Sequence, residues 1–241
     1  MHATMAEPLA DLRPEEVCPT CGARERAVCG VLTGPELRAL SKAGHRRTLA
    51  RGQTLVWAGD EAAACANVVA GVLKITAVDA GGRERIAGLL YPGDFIGHPF
   101  GGRELHTVTA ASDAELCVFA RADFAAALGR FHHMAGALLQ RTLDALDASR
   151  LANLMIGQTS ARARVAGFLS DLAARAPGAG CAGAPVGLPV TRGEMAELLG
   201  LTIETVSRQM TALRGERVIE TPSLKTFLVL DPAALARAAE G

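Results

Sequence analysis

Thr191-Arg192-Gly193-Glu194-Met195-Ala196-Glu197-Leu198-Leu199-Gly200-Leu201-Thr202-Ile203-Glu204-Thr205-Val206-Ser207-Arg208-Gln209-Met210-Thr211-Ala212-Leu213-Arg214 carries the punctuation of two short helices joined by one tight corner. Thr191 with Glu194 three residues on is a capping box: the hydroxyl accepts from an orphan helix amide and the carboxylate reaches back to the cap. Ala196 and Leu199 share an inner face, and Gly200 supplies the left-handed residue that ends the first helix. Thr202 caps the second, whose inner face is Val206, Met210 and Leu213. An ordinary helical hairpin would share the apolar faces; the full set of caps around a glycine corner favours a helix-turn-helix.

In that motif the second helix lays its N-terminal half in the major groove. Glu204, Ser207 and Arg208 fall on its outer face, away from Val206 and Met210. A guanidinium can donate twice to guanine, a carboxylate can accept from cytosine N4, and a hydroxyl serves either partner. The competing reading, a solvated Glu204–Arg208 pair, is worth only about 0.3 to 0.5 kcal/mol. Thr205, Thr191 and Arg192 complete the candidate DNA-contacting set together with Lys225. Val218-Ile219 and Phe227-Leu228-Val229-Leu230 alternate around Pro222-Ser223-Leu224-Lys225, a hairpin that makes a wing with Lys225 at its tip, in reach of phosphate.

Upstream, Ser160 to Ala174 reads as a helix carrying Val165, Phe168, Leu169 and Leu172, and Pro177 to Pro189 as an irregular loop. From Phe131 to Ile156 there is no proline, which fits one long helix. Leu139, Leu143 and Leu146 repeat at spacings of four and three, a seam for a partner helix, with Thr142 and Ser149 beside it. Packing of that seam on the chain's own barrel is the equal alternative. Between His45 and Phe119 glycine-containing turns separate strand-like stretches at Thr54–Trp57, Val72–Val78, Ile86–Leu90, Thr107–Ala111 and Leu116–Phe119. Many short strands at such spacing indicate an antiparallel sandwich. A short helix with Leu37 and Leu40 on one face precedes them, and residues 1 to 17 read as an irregular tail. The class is α+β: a cysteine-bearing segment at 1–30, a β-sandwich or jelly-roll domain at 31–122, a long helical segment at 123–158 and a winged helix-turn-helix at 159–241.

The composition suits a folded chain, with 49% hydrophobic and 21% charged residues over 241 positions. Its 25 basic and 25 acidic side chains cancel, so attraction to nucleic acid must come from local placement. No apolar run approaches the roughly 20 residues that span a bilayer, and no secretory h-region opens the chain. A cytoplasmic, reducing setting is therefore expected. Disulfides are rare there, so the six cysteines call for metal, chemistry or burial. Cys65, among alanines, reads as a small buried hydrophobe, and Cys181 as incidental. Cys18, Cys21 and Cys29 are different: they lie in a Pro-, Gly- and Arg-rich segment with few neighbouring hydrophobes, which argues against a core role. Thiolates in that density suit zinc or an iron–sulfur cluster, and a fourth could be Cys65, Cys117 or Cys181. His98, His106, His132 and His133 lack a compact ligand spacing with Asp or Glu, which argues against a metal-dependent enzyme.

With sandwich, long helix and helix-turn-helix in this order, the chain resembles the CRP/FNR superfamily of transcription regulators from about Cys18 to Leu230. Leu201-Thr202-Ile203-Glu204-Thr205-Val206-Ser207-Arg208 looks like the FNR recognition helix, and Ser207 favours the FNR group over the cyclic-AMP group, which has glycine there. The resemblance implies a homodimer that reads inverted repeats with TTGA-type half-sites and works with RNA polymerase. It implies a [4Fe-4S] cluster held by Cys18, Cys21, Cys29 and, by position at the last barrel strand, Cys117, with oxygen destroying the cluster. Cyclic nucleotide is not expected. The phosphate-holding Gly-Glu and Arg-Ser of the nucleotide-binding branch correspond to Gly97-His98 and Glu104-Leu105, an acid and an apolar residue. The acidic side chain that opposes pairing in the FNR dimer helix corresponds to Ser149, with Asp144 and Asp147 nearby. Zinc in the same thiolates, haem or another effector are the alternative inputs.

Overall fold

The structure, a computed structural model, describes residues 18, 21–78, 81–158, 160–176 and 183–241, with backbone alone for 151–158. The expected tail and Cys181 lie outside the described residues. The chain divides into two compact units, residues 1–144 and 145–241.

In the first unit, β1 (Gly44–Leu49), β2 (Thr54–Val56), β3 (Ala64–Ala70), β4 (Leu73–Val78), β5 (Glu84–Leu90), β6 (Phe95–Ile96), β7 (Thr107–Ala110) and β8 (Ala114–Ala120) form two four-stranded antiparallel sheets, ordered β1-β8-β3-β6 and β2-β7-β4-β5. Leu49, Ala66, Val68, Leu73, Ile96, Val108, Leu116 and Val118 fill one core with residues of both sheets. The pleat then sends the intervening residues outward. Cys65, Cys117 and Phe119 join a second apolar cluster with Phe124, Leu128, Phe131 and Met134. β1 and β3 are absent from the sequence reading for opposite reasons. β1 is polar along most of its length, whereas β3, buried on both faces, is a continuous run of small residues without alternation.

α1 (Gly34–Ser41) precedes the sheets; α2 (Arg121–Arg130) follows them, Phe131 breaks the helical run, and α3 (His132–Gln158) begins. The segment before α1 winds through two 3-10 turns, Arg24–Arg26 and Val28–Val31. It contributes to the core after all: Ala23, Ala27, Val28 and Leu32 are buried. The small alanines let the turns lie flat on the protein, so a composition poor in large hydrophobes did not mean an unpacked segment. Gly93 assists, since a Cβ there, at φ 102°, would meet the Arg26 Cβ at 2.5 Å.

In the second unit α4 (Ala161–Arg175) buries Ala163, Val165, Ala166, Leu169 and Leu172. A three-stranded sheet, ordered β10-β11-β9, joins β9 (Pro185–Gly187), β10 (Ile219–Ser223) and β11 (Thr226–Val229). β9 corrects the reading of Pro177 to Pro189 as a wholly irregular loop. Three residues pair with Thr226, Phe227 and Leu228, and proline is tolerated because the strand is an edge. α5 (Arg192–Leu199) and α6 (Ile203–Gly215) carry the helix-turn-helix. The closing helix α7 (Pro232–Glu240), not anticipated from the sequence, is capped by the Asp231 side chain, which accepts from Ala234 N at 2.9 Å, and starts with Pro232 at its first position.

Candidate functional site

Backbone hydrogen bonds from Cys21 N to Cys18 O, Arg24 N to Cys21 O and Gly30 N to Ala27 O coil the N-terminal segment tightly. Cys18, Cys21 and Cys29 therefore line one small pocket, whose floor includes Cys117 of β8 and Asn67 of β3. Arg24, Arg46, Ala23, Ala27, Leu37 and Val68 complete much of its wall, and its volume is about 20 Å³, about one water. Burial pushes the Cys117 thiol up to about 12, with the other three cysteines adding to the rise. Burial likewise pushes Cys29 up to about 11 and raises Cys18. These thiols are neutral near pH 7, so a cation must displace their protons.

Arg46 stands beside them. Its Nη1 lies 3.2 Å from Glu115 Oε1 as an ion pair but without hydrogen-bond geometry, so it counts as a buried donor with no hydrogen-bond partner. Asn67 is 3% exposed, and both its amide atoms lack partners among the described residues. The donor set suits an iron–sulfur cluster: four convergent soft ligands, two guanidinium groups to offset negative charge, and an orphaned amide in the same pocket. Among the described residues no three His, Cys, Asp or Glu side chains are gathered into a ready single-ion site. The pocket would have to widen to admit a cluster, and the coiled segment, wound in 3-10 turns, is not held in a strand ladder.

That segment is also tied to α3. Arg141 Nη2 donates to the carbonyl oxygens of Ala27 at 3.2 Å and Glu25 at 3.5 Å, while His133 Nε2, 3.2 Å from Glu36 Oε2, ties α3 to α1 instead. On the same helix, Leu139, Leu143 and Leu146 remain 60%, 45% and 44% exposed. The intrachain alternative for this seam is therefore disfavoured. Thr142 returns its hydroxyl to Leu138 O at 2.9 Å, and Ser149 is exposed on the same helix.

In the second unit the caps form as the sequence implies. Glu194 N donates to Thr191 Oγ1 at 3.2 Å and Thr191 N to Glu194 Oε2 at 2.8 Å. Gly200 takes φ 60°, ψ 41°. Arg164 of α4 donates to Leu199 O at 2.9 Å, placing a cation on the C-terminal carbonyls of α5. Val206, Met210 and Leu213 are buried while Glu204, Ser207 and Arg208 are exposed. Arg208 Nη2 reaches Thr205 Oγ1 at 3.3 Å rather than Glu204, so the solvated-pair alternative is not formed. Thr191 is exposed; Arg192 is half-buried, with burial and Arg214 lowering its pKa. Lys225 is exposed in the turn between β10 and β11.

A Crp-like helix-turn-helix model matches residues 163–238 and a cyclic nucleotide-binding domain model residues 46–131. The transcriptional activator protein FnrL of Cereibacter sphaeroides is 38% identical over 222 residues, 90% of either chain. The chain belongs to the CRP/FNR superfamily. Another superfamily member, the nitrogen fixation regulation protein FixK of Bradyrhizobium diazoefficiens, is 35% identical over 206 residues, 84% of this chain and 85% of FixK. The solved structure of FixK2 from Bradyrhizobium japonicum has a TM-score of 0.72 at 24% identity, covering 81% of this chain and 96% of that one, a likeness of fold. Like other CRP/FNR regulators, this chain pairs a β-rich, nucleotide-domain-like half with a DNA-binding helix-turn-helix. No helix among the described residues is long and apolar enough to cross a membrane.

Glu104, which the resemblance sets against the nucleotide phosphate, is buried with Oε1 unpaired among the described residues, while Leu105 is exposed. Arg46, Asn67 and Arg141 went unseen in the sequence. The first two emerge only from strand pairing, and nothing local marks Arg141 among the charges of a long helix.

Proposed function

We propose that this CRP/FNR regulator responds to oxygen as a homodimer. Cys18, Cys21, Cys29 and Cys117 hold a [4Fe-4S] cluster, whose presence favours pairing and binding to inverted repeats with TTGA-type half-sites. The observation that carries the reading is the convergence of the four thiols on one pocket. When bound, the cluster supplies an oxygen-labile centre tied to four thiolates.

The chain's own residues do the rest. Cys117, held in the β8 ladder, is the fixed side; Cys18, Cys21 and Cys29 ride on the coiled segment. Arg141 passes the position of that segment to α3. Leu139, Thr142, Leu143, Leu146 and Ser149 meet their counterparts on a second copy. Pairing sets two recognition helices about 34 to 36 Å apart, one turn of DNA. Glu204, Ser207 and Arg208 read base edges, with Thr205, Thr191, Arg192 and Lys225 on the backbone. The activator name of FnrL supports contact with RNA polymerase and a cytoplasmic setting. Buried Glu104, whose Oε1 has no partner among the described residues, opposes a cyclic nucleotide, whose phosphate a carboxylate would repel.

The test is purification without oxygen, assay of iron and acid-labile sulfide, and spectra and DNA binding before and after air. Equimolar iron and sulfide, with visible absorbance that bleaches in air as affinity for a TTGA duplex falls, is the expected result. A colourless protein with stoichiometric zinc, or a haem spectrum, overturns the proposal.

A further inference from the structure

The antiparallel registers place Arg46 of β1 opposite Cys117 of β8, and Cys117 opposite Asn67 of β3. Directly opposed residues in such ladders project from the same face with neighbouring side chains in reach. The three form one row, with the fixed cysteine in the middle. That face is the outer one, since Leu116 and Val118 on either side of Cys117 point into the sandwich core.

Asn67 is the anomaly in this row. It is 3% exposed, lines the same pocket as Cys18, Cys21, Cys29 and Cys117, and has no partner for either amide atom among the described residues. Burying an amide unpaired costs free energy, and most buried polar groups in folded proteins find partners. An apolar residue would serve the strand better unless something in the pocket accepts a hydrogen bond. Cys117 stands opposite it in the ladder, and the other side chains of the pocket lining that can accept a hydrogen bond are the cysteine sulfurs, which accept far more strongly as thiolates than as thiols.

We infer that Asn67 is a positioning residue that donates its amide N–H to sulfur at the iron–sulfur centre, alongside Cys117; the inference rests on the cysteine reading above. A donor on a thiolate or sulfide withdraws electron density from the iron–sulfur bond and favours the more negative oxidation state. Removing it should shift the midpoint potential to more negative values and raise the frequency of the terminal iron–cysteine stretch.

The experiment compares the full-length protein, prepared without oxygen, with Asn67→Leu, Asn67→Val and Asn67→Gln. Leucine and valine lack a donor, and valine suits a strand should leucine overpack. Glutamine keeps the amide. Iron and sulfide content are measured first, then the midpoint potential and the resonance Raman spectrum. Full loading in all four proteins, a negative shift and a raised stretch in the leucine or valine variant, and a glutamine variant nearer the parent support the inference. Loaded donor-free variants with the parent's potential and stretch overturn it while leaving the cysteine reading intact. A parent chain that binds no iron overturns both.

Discussion

Replacing Arg141 with alanine removes the one α3 side chain that, among the described residues, donates hydrogen bonds to the cysteine-bearing segment. Its Nη2 bonds to Ala27 O at 3.2 Å and Glu25 O at 3.5 Å. A hydrogen bond from a charged donor contributes about 1.5 to 3 kcal/mol, and part exposure places the shorter bond near the lower end. The longer contact, at the limit of useful geometry, adds little. Loss of about 1.5 kcal/mol should speed amide exchange by roughly tenfold over residues 24–32. Two such anchors act in a dimer, so if pairing needs both segments in place, the dimer dissociation constant should rise about 100-fold. Hydrogen exchange and sedimentation velocity without oxygen, at matched iron content, read the two quantities. Arg141→Lys should fall between the two proteins, because a single ammonium lacks the fork that spans two carbonyls. Parent-like exchange and parent-like dimerisation in the alanine variant would refute the proposed coupling.

Two other outcomes are expected. Arg208→Ala should cost about 1 to 3 kcal/mol at one base pair of each half-site, relaxing preference there, whereas Lys225→Ala should weaken all duplexes alike and reduce the salt slope by about one. Competition binding with single-base variants checks this, and an unchanged base preference in the arginine variant counts against the groove assignment. In the second unit, hydrogen bonding to Arg162 holds the Glu216 carboxyl below its ordinary value of 4.5. A depressed carboxyl lends stability that is present above the ordinary value and lost as pH falls through the folded one. Melting temperature should therefore fall on acidification below about pH 4.5, and Glu216→Gln should flatten that limb; an identical acid profile in both proteins contradicts the sign.

Helix caps, the glycine corner and three- and four-residue spacings are local, so Thr191 to Leu213 disclosed the helix-turn-helix by itself. The strands at Thr54, Val72, Ile86 and Thr107 were legible for the same reason: turns and alternation sit side by side in the chain. The cysteine triplet named itself by density. Cys117 was singled out only through family resemblance, because its neighbours Leu116 and Val118 make it look like any strand residue. What the tertiary structure decided is pairing at a distance. The row Arg46, Cys117 and Asn67 depends on the register of three strands, and a slip of one residue would turn each to the opposite face. The Arg141 anchor spans 114 residues of sequence. Helix periodicity could place its side chain on a face but could not say which carbonyls would come to meet it, since that depends on how the N-terminal segment coils onto the outer face of the sheet.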